Sequence, residues 1–168
     1  MKMSELLVSM TCVGILALYT VPTALRIIGG AKVTAALLQL HQTSKQSRYD
    51  AIVNYGQVRS VAIFTGDKPG IAECLGGICG KPVPLPEGIV IASTFRGIDA
   101  KVAGKAGADR ATLISWASDT NSGMGGSFGQ HGTVTFSHPW TRKKFCLVRG
   151  GSYGNSGEYA VRKDLDCR

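Results

Sequence analysis

The sequence predicts an α+β protein: one long N-terminal helix, membrane-spanning in its first half, packed through its second half on a mainly antiparallel β-sheet head. Three observations predict it. Leu6 to Leu25 is a run of twenty residues without a charge. Past it, apolar residues recur at helical spacing. From residue 59 onward the chain breaks into short runs rich in Val, Ile, Thr and aromatic residues, divided by Gly and Pro. The expected segments are 1–28, the membrane half of the helix; 29–58, its amphipathic half; and 59–168, the head.

The twenty uncharged residues span about 30 Å as a helix, one hydrocarbon core. Ser9, Thr11, Thr20 and Thr23 are the polar exceptions. Glu5 stands at the edge of the run, where a carboxylate is costly unless it stays at the interface or meets a cation. Pro22 removes a helix hydrogen bond and invites a bend or local melting. Arg26 and the pair Gly29–Gly30 close the segment, and the glycines are a second place for a bend or local melting. Val33, Leu37, Leu38 and Leu40 then recur, with Tyr49, Ile52 and Val53 continuing one face, so a single helix of about fifty residues is expected.

In the head, residues 60–64, 88–94, 111–116, 132–136, 143–148 and 158–162 read as strands. Turn signals separate them: Gly66 to Gly70, Lys81 to Pro86, Thr120 to Gly123 and Gly150 to Gly157. Short strands in series favour an antiparallel sheet, with the second half of the helix covering one face.

Composition excludes several classes. Hydrophobic residues make 44% of the 168-residue chain and charged ones 18%, which is not the balance of a disordered tail. The 22 glycines have no three-residue period, so the chain is not collagenous. The net charge is +8, and residues 140–168 supply +4 of it from seven basic and three acidic side chains. Such a surplus favours anionic partners, nucleic acid or a phospholipid surface.

The N-terminal stretch, MKMSELLVSMTCVGILALYTVPTALRIIG, resembles the N-terminal helix of type IV pilins and pseudopilins. In that family a glutamate is the fifth residue of the processed chain, and a proline often stands near the twenty-second; Glu5 and Pro22 occupy both places here. The resemblance implies that Glu5 pairs with the N-terminal amine of a neighbouring subunit inside a filament. It leaves two readings of Met1, the processed terminus or a translation start. Lys2 is unusual for the family. The C-terminal order, GMGGSFGQHG into GTVTF, then KFCLV, then EYAVRKDLDCR, resembles the GspH/FimT type of minor pilin or pseudopilin. Implied partners are other pilin subunits, the inner membrane and the pilus assembly machinery, with the head in the periplasm or on an assembled pilus.

Five cysteines are present. Cys12 lies in the membrane run as a small apolar residue. Cys74, Cys79, Cys146 and Cys167 lie in the head and allow three pairings; Cys74–Cys79, closing a small loop, and Cys146–Cys167, pinning the last strand, are favoured. Zinc competes poorly, because C-x4-C with two distant singles is not ligand spacing. No cofactor or metal is expected. The three histidines, His41, His131 and His138, stand in no catalytic motif; His131 and His138, seven apart, fall on opposite faces of a regular strand. GMGGSFGQHG leads into a strand rather than a helix and therefore lacks the helix N-terminus of a phosphate loop. No enzyme activity is expected.

Arg142, Lys143, Lys144, Arg149, Arg162, Lys163 and Arg168 lie within 27 residues, with Tyr153 and Tyr159 among them and Trp140 just before. Cations beside aromatics suit a DNA backbone and unpaired bases. The resemblance to FimT-like minor pilins implies DNA uptake through a basic C-terminal segment, although the family's Gly-Arg-x-Arg pattern is not found. The plainer reading is a strand kept soluble by its charges. The expected role is that of a minor pilin that primes or caps a filament and binds DNA. The alternatives are a minor pseudopilin of a type II secretion system and a membrane-anchored adhesin head without a filament role.

Overall fold

The structure, a computed structural model, describes residues 3–54, 59–66, 68–95, 97–105, 107–116, 132–149 and 160–163. Helix α1 runs unbroken over 51 residues, Met3–Val53, through Pro22 and through Gly29–Gly30. Local melting at those positions, expected from sequence, does not occur. Part of the reason is tertiary: at Gly29 the helix lies so close to the head that an added Cβ would stand 3.1 Å from His138 Nδ1 and 3.3 Å from Trp140 Cβ. The glycine lets the helix dock there; packing, not propensity, holds it.

The buried stripe of α1 is Gly29, Val33, Ala36, Leu37, Leu40, Ser44, Ser47 and Ala51. Its steps of three and four residues, with Ala36 and Leu37 side by side across the stripe, keep one face on the head. This corrects the expected face. Leu38, Tyr49, Ile52 and Val53 are exposed, because they lie about 100° or more around the helix from the Val33–Leu40 line. Small residues replace leucines in the lower stripe and let the helix seat closely.

Among the described residues ten strands make two sheets, where one was expected. The first contains β1 (Arg59–Phe64), β2 (Gly70–Leu75), β3 (Ile78–Cys79), β4 (Val83–Pro84), β6 (Gly97–Val102) and β7 (Ala108–Trp116). Its order is β1-β7-β6-β3-β2-β4, and β1 also pairs with β2. Five strands therefore close into a ring, with β4 attached to β2. Every pairing is antiparallel except β3–β6. The second sheet, of order β10-β9-β8-β5, is wholly antiparallel; it contains β5 (Val90–Ser93), β8 (Gly132–His138), β9 (Thr141–Arg149) and β10 (Ala160–Lys163).

Two cores follow. Ala62, Phe64, Ala72, Cys74, Cys79, Ala100, Val102 and Ala111 cluster inside the ring. Four alanines and two half-cystines suit a five-stranded ring, whose interior is narrower than that of larger barrels. The alternate face of β1, Val61 and Ile63, joins Ile71 and Ile114 against the helix, where Val33, Leu37 and Leu40 also meet Val134, Phe136 and Leu147 of the second sheet. The helix is thus the shared wall between the sheets. Below it, Arg59 Nη1 lies 2.8 Å from Glu73 Oε1 and 3.3 Å from Asp50 Oδ2, tying the end of α1 to β1 and β2.

Strands β2, β3, β4 and β6 were not expected. The Cys74–Cys79 loop is a hairpin: Cys74 pairs with Cys79 and Leu75 with Ile78. Gly76 (φ 59°) and Gly77 (φ 87°) form its two-residue turn, which requires positive φ at both places. The Lys81–Pro86 turn contains β4, whose Val83 and Pro84 pair with Ile71 and Gly70. GMGGSFGQHG up to its last residue, Gly132, and the Thr120–Gly123 and Gly150–Gly157 turns, lie outside the described residues.

Candidate functional site

The N-terminal half of α1 stands clear of the head. Leu7, Met10, Leu16, Leu18 and Val21 are each at least 55% exposed. An 18-residue window of this helix has a mean hydropathy of 1.7 and none of it is buried. The helix is therefore long and apolar enough to cross a membrane. Its hydroxyls are compatible with hydrocarbon, because they are satisfied within the helix: Thr11 donates to the Leu7 carbonyl at 3.0 Å, Thr20 to Leu16 at 2.9 Å and Thr23 to Tyr19 at 2.9 Å. Glu5 stands in the first turn of α1, and Pro22 is exposed inside the helix. Met1 lies outside the described residues.

The basic residues fall on two paired strands. Arg142, Lys143, Lys144 and Arg149 are on β9, and Arg162 and Lys163 are on β10. The register sets Lys163 opposite Phe145 and Arg162 opposite Cys146. The start of β9 and the end of β10 thus bring positions 142–144 and 162–163 to one end of the sheet. Arg149 is at the other end of β9, opposite Gly132 and seven residues from Arg142, about 23 Å along the strand. Arg168, Tyr153 and Tyr159 lie outside the described residues. Trp140, at the β8–β9 turn, is 45% exposed, and Lys32 Nζ stands 5.2 Å from its ring centroid.

Cys74 and Cys79 are joined by a disulfide inside the ring. Cys146 is also disulfide-bonded, and Cys167, its expected partner, lies outside the described residues. Cys12 is free and exposed in the apolar run.

His138, read from sequence as one flank of a strand, is a buried joint between helix and head. Its Nδ1 accepts the Trp140 backbone N–H at 3.2 Å, and Trp140 packs edge-on with ring centroids 4.9 Å apart. A Cβ on Gly88 would stand 2.7 Å from its Nε2, so the ring fits between Gly29 and Gly88. Gly88 also has φ +83°. Lys32 Nζ adds a 3.0 Å hydrogen bond to the Glu87 carbonyl. His131 lies outside the described residues. His41, on the docked half of α1, is held below the ordinary imidazole value, first by partial burial and then by the charge of Lys45.

One feature was invisible in the sequence. A groove of about 530 Å³ lies between α1 and β9, lined by Arg26, Thr23, Ile27 and Thr34 of the helix and Thr141 and Phe145 of the strand. Only the contact of α1 with β9 creates it; the sole local signal was Gly30–Ala31, whose small side chains leave room. Comparison with protein-family models, with curated proteins and with solved structures finds no match to this chain.

Proposed function

We propose that this chain is a subunit of a membrane-anchored filament, a minor pilin of the GspH/FimT type that primes or caps a type IV pilus, with its head in the periplasm until assembly. The observation that carries the reading is the two-part helix. Its first half is apolar and clear of the head, and its second half is seated in the head yet keeps Leu38, Tyr49 and Val53 more than half exposed. A simple anchor needs only the first half. A subunit that leaves the membrane to pack among copies of itself needs apolar surface along both halves.

Glu5 then has the role that its position suggests. In a bundle of apolar helices an unpaired carboxylate is expensive, and a neighbour's N-terminal amine offsets that cost. A subunit out of register would leave both charges unpaired, so the pair fixes axial position. The basic positions at one end of β9–β10 would serve DNA, with phosphates on the cations and Trp140 close by for stacking.

The test is assembly in cells that express the full chain. Glu5→Ala is expected to reach the membrane at the normal level but to be missing from sheared filaments. Incorporation of Glu5→Ala at the unsubstituted level would reject the filament reading.

A further inference from the structure

Helix and head first meet at Gly29, the first buried position of α1 among the described residues. There the β8–β9 turn closes on the helix, with an added Cβ at Gly29 only 3.3 Å from Trp140 Cβ. The height of Trp140 along the helix axis is thereby fixed. Leu25, the last residue of the uncharged run, stands four residues earlier. The base of the ring therefore lies about 6 Å beyond the end of the run. With residues 6–25 in hydrocarbon, that level falls within the headgroup layer, which is about 5–8 Å deep on each side. This rests on the membrane reading of the helix.

Trp140 is held firmly at that level. Its backbone N–H donates to His138 Nδ1 at 3.2 Å, and its ring meets the buried His138 edge-on with centroids 4.9 Å apart. Lys32 Nζ lies 5.2 Å from its centroid and is itself tied to the Glu87 carbonyl at 3.0 Å. Yet the ring is 45% exposed beside an exposed Pro139, and its indole N–H has no hydrogen-bond partner among the described residues. Water would satisfy that donor but not the ring. The layer between hydrocarbon and water satisfies both, because it offers apolar chain together with ester and phosphate oxygens. The neighbours suit the same layer. Arg26 is exposed on the helix at this depth, where a long cationic side chain reaches up to phosphates, and Ile27 and Ile28 beside it are 68% and 46% exposed. On β9 the basic positions 142–144 follow Thr141, with exposed Glu87 as an acidic exception.

We infer that the Pro139–Trp140 turn is a membrane-contact site of the head, with the Trp140 indole inserted in the lipid–water interface and its N–H directed at lipid oxygens. The head is then held at two points, the helix and the ring. That fixes the rotation of α1 about its own axis as well as its depth. The contact is broken when the subunit is withdrawn from the membrane, and if the head serves DNA, only then is the ring open to stacking on bases.

The test uses the fluorescence of the full chain in phosphatidylcholine vesicles. The chain has two tryptophans, so Trp116→Phe leaves Trp140 as the reporter. Should Trp116→Phe fail to fold, the difference between the unsubstituted chain and Trp140→Phe supplies the same signal. A nitroxide on the lipid headgroup is expected to quench Trp140 several times more strongly than a nitroxide deep in the acyl chain. Iodide in the water is expected to quench it weakly. Strong quenching by iodide with none by either lipid label would leave the ring in solvent and overturn the inference. Quenching by neither lipid label nor iodide would give the ring to a second copy of the chain and also overturn it. The reference is Leu16→Trp in a chain carrying Trp116→Phe and Trp140→Phe, which the deep label is expected to quench most. If it does, a Trp140 beyond the reach of both lipid labels overturns the contact alone. If it does not, the membrane reading of the helix falls, and the inference with it.

Discussion

Ser44 and Ser47 carry hydroxyls into the seam between helix and head, where both side chains are fully buried and neither oxygen has a hydrogen-bond partner among the described residues. A buried hydroxyl without a partner costs about 1–3 kcal/mol. Ser44→Ala removes that cost and leaves a methyl of similar reach, so it is expected to raise stability by about 1 kcal/mol, measured as a higher unfolding temperature in detergent. His41 sets a pH dependence of definite sign. The unfolded chain takes up a proton near 6.5 and the folded chain only at lower pH, so the unfolded state holds more protons in that window. Stability is therefore full above that value and falls as the pH drops through it. His41→Gln is expected to flatten this part of the profile, followed by thermal melts from neutral to mildly acidic pH.

The β2–β3 hairpin depends on two glycines at positive φ and on the bridge beside them. Gly76→Ala or Gly77→Ala is expected to cost about 1 kcal/mol, and replacing both Cys74 and Cys79 by serine about 2 kcal/mol, read by denaturant melts. This hairpin also shows what was legible. The Gly-Gly pair between Leu75 and Ile78 was a hairpin signal, but the short distance between the cysteines reads equally as a bare loop. Strand β6 carried a true alternation, Ile98, Ala100 and Val102 against Asp99 and Lys101, yet it opens on glycine and has few branched residues. The helix was plain from its apolar run and its spacing. Its lower buried face was not, because serines and an alanine mark it rather than leucines. The basic residues of β9 and β10 could be named in advance, but which of them share an end of the sheet is fixed by a non-local register. The groove at Arg26 belongs to no local stretch of sequence at all.

At the scale of the whole molecule, that register divides the cations into a cluster and an outlier. If the head serves DNA, neutralising Arg142, Lys143, Lys144, Arg162, Lys163 and Arg168 together is expected to abolish binding of the full chain in detergent. Arg149→Gln, some 23 Å along the strand, should change it little. Binding by the unsubstituted chain should weaken steeply with salt, with a logarithmic slope of about 0.9 per duplex phosphate neutralised. Salt-insensitive binding, or equal loss in both variants, would remove DNA from the account.

The closed ring has a further consequence if the chain serves in a filament as proposed, crowded against its own copies. Strands with unpaired backbone are templates for runaway pairing between chains. Strands β1, β2, β3, β6 and β7 have a neighbour on each side over at least part of their length, β6 meeting β3 only at Lys101 and Val102, and β4, the one described strand added outside them, is two residues long and contains Pro84, which has no N–H to give. The second sheet ends in β5 and β10, each four residues long, and β10 carries Arg162 and Lys163. In the proposed filament, a subunit built this way can be concentrated by its helix while, among the described residues, its head offers only short stretches of strand edge for another head to zip onto. The molecule keeps its stickiness in the rod and its reserve in the head.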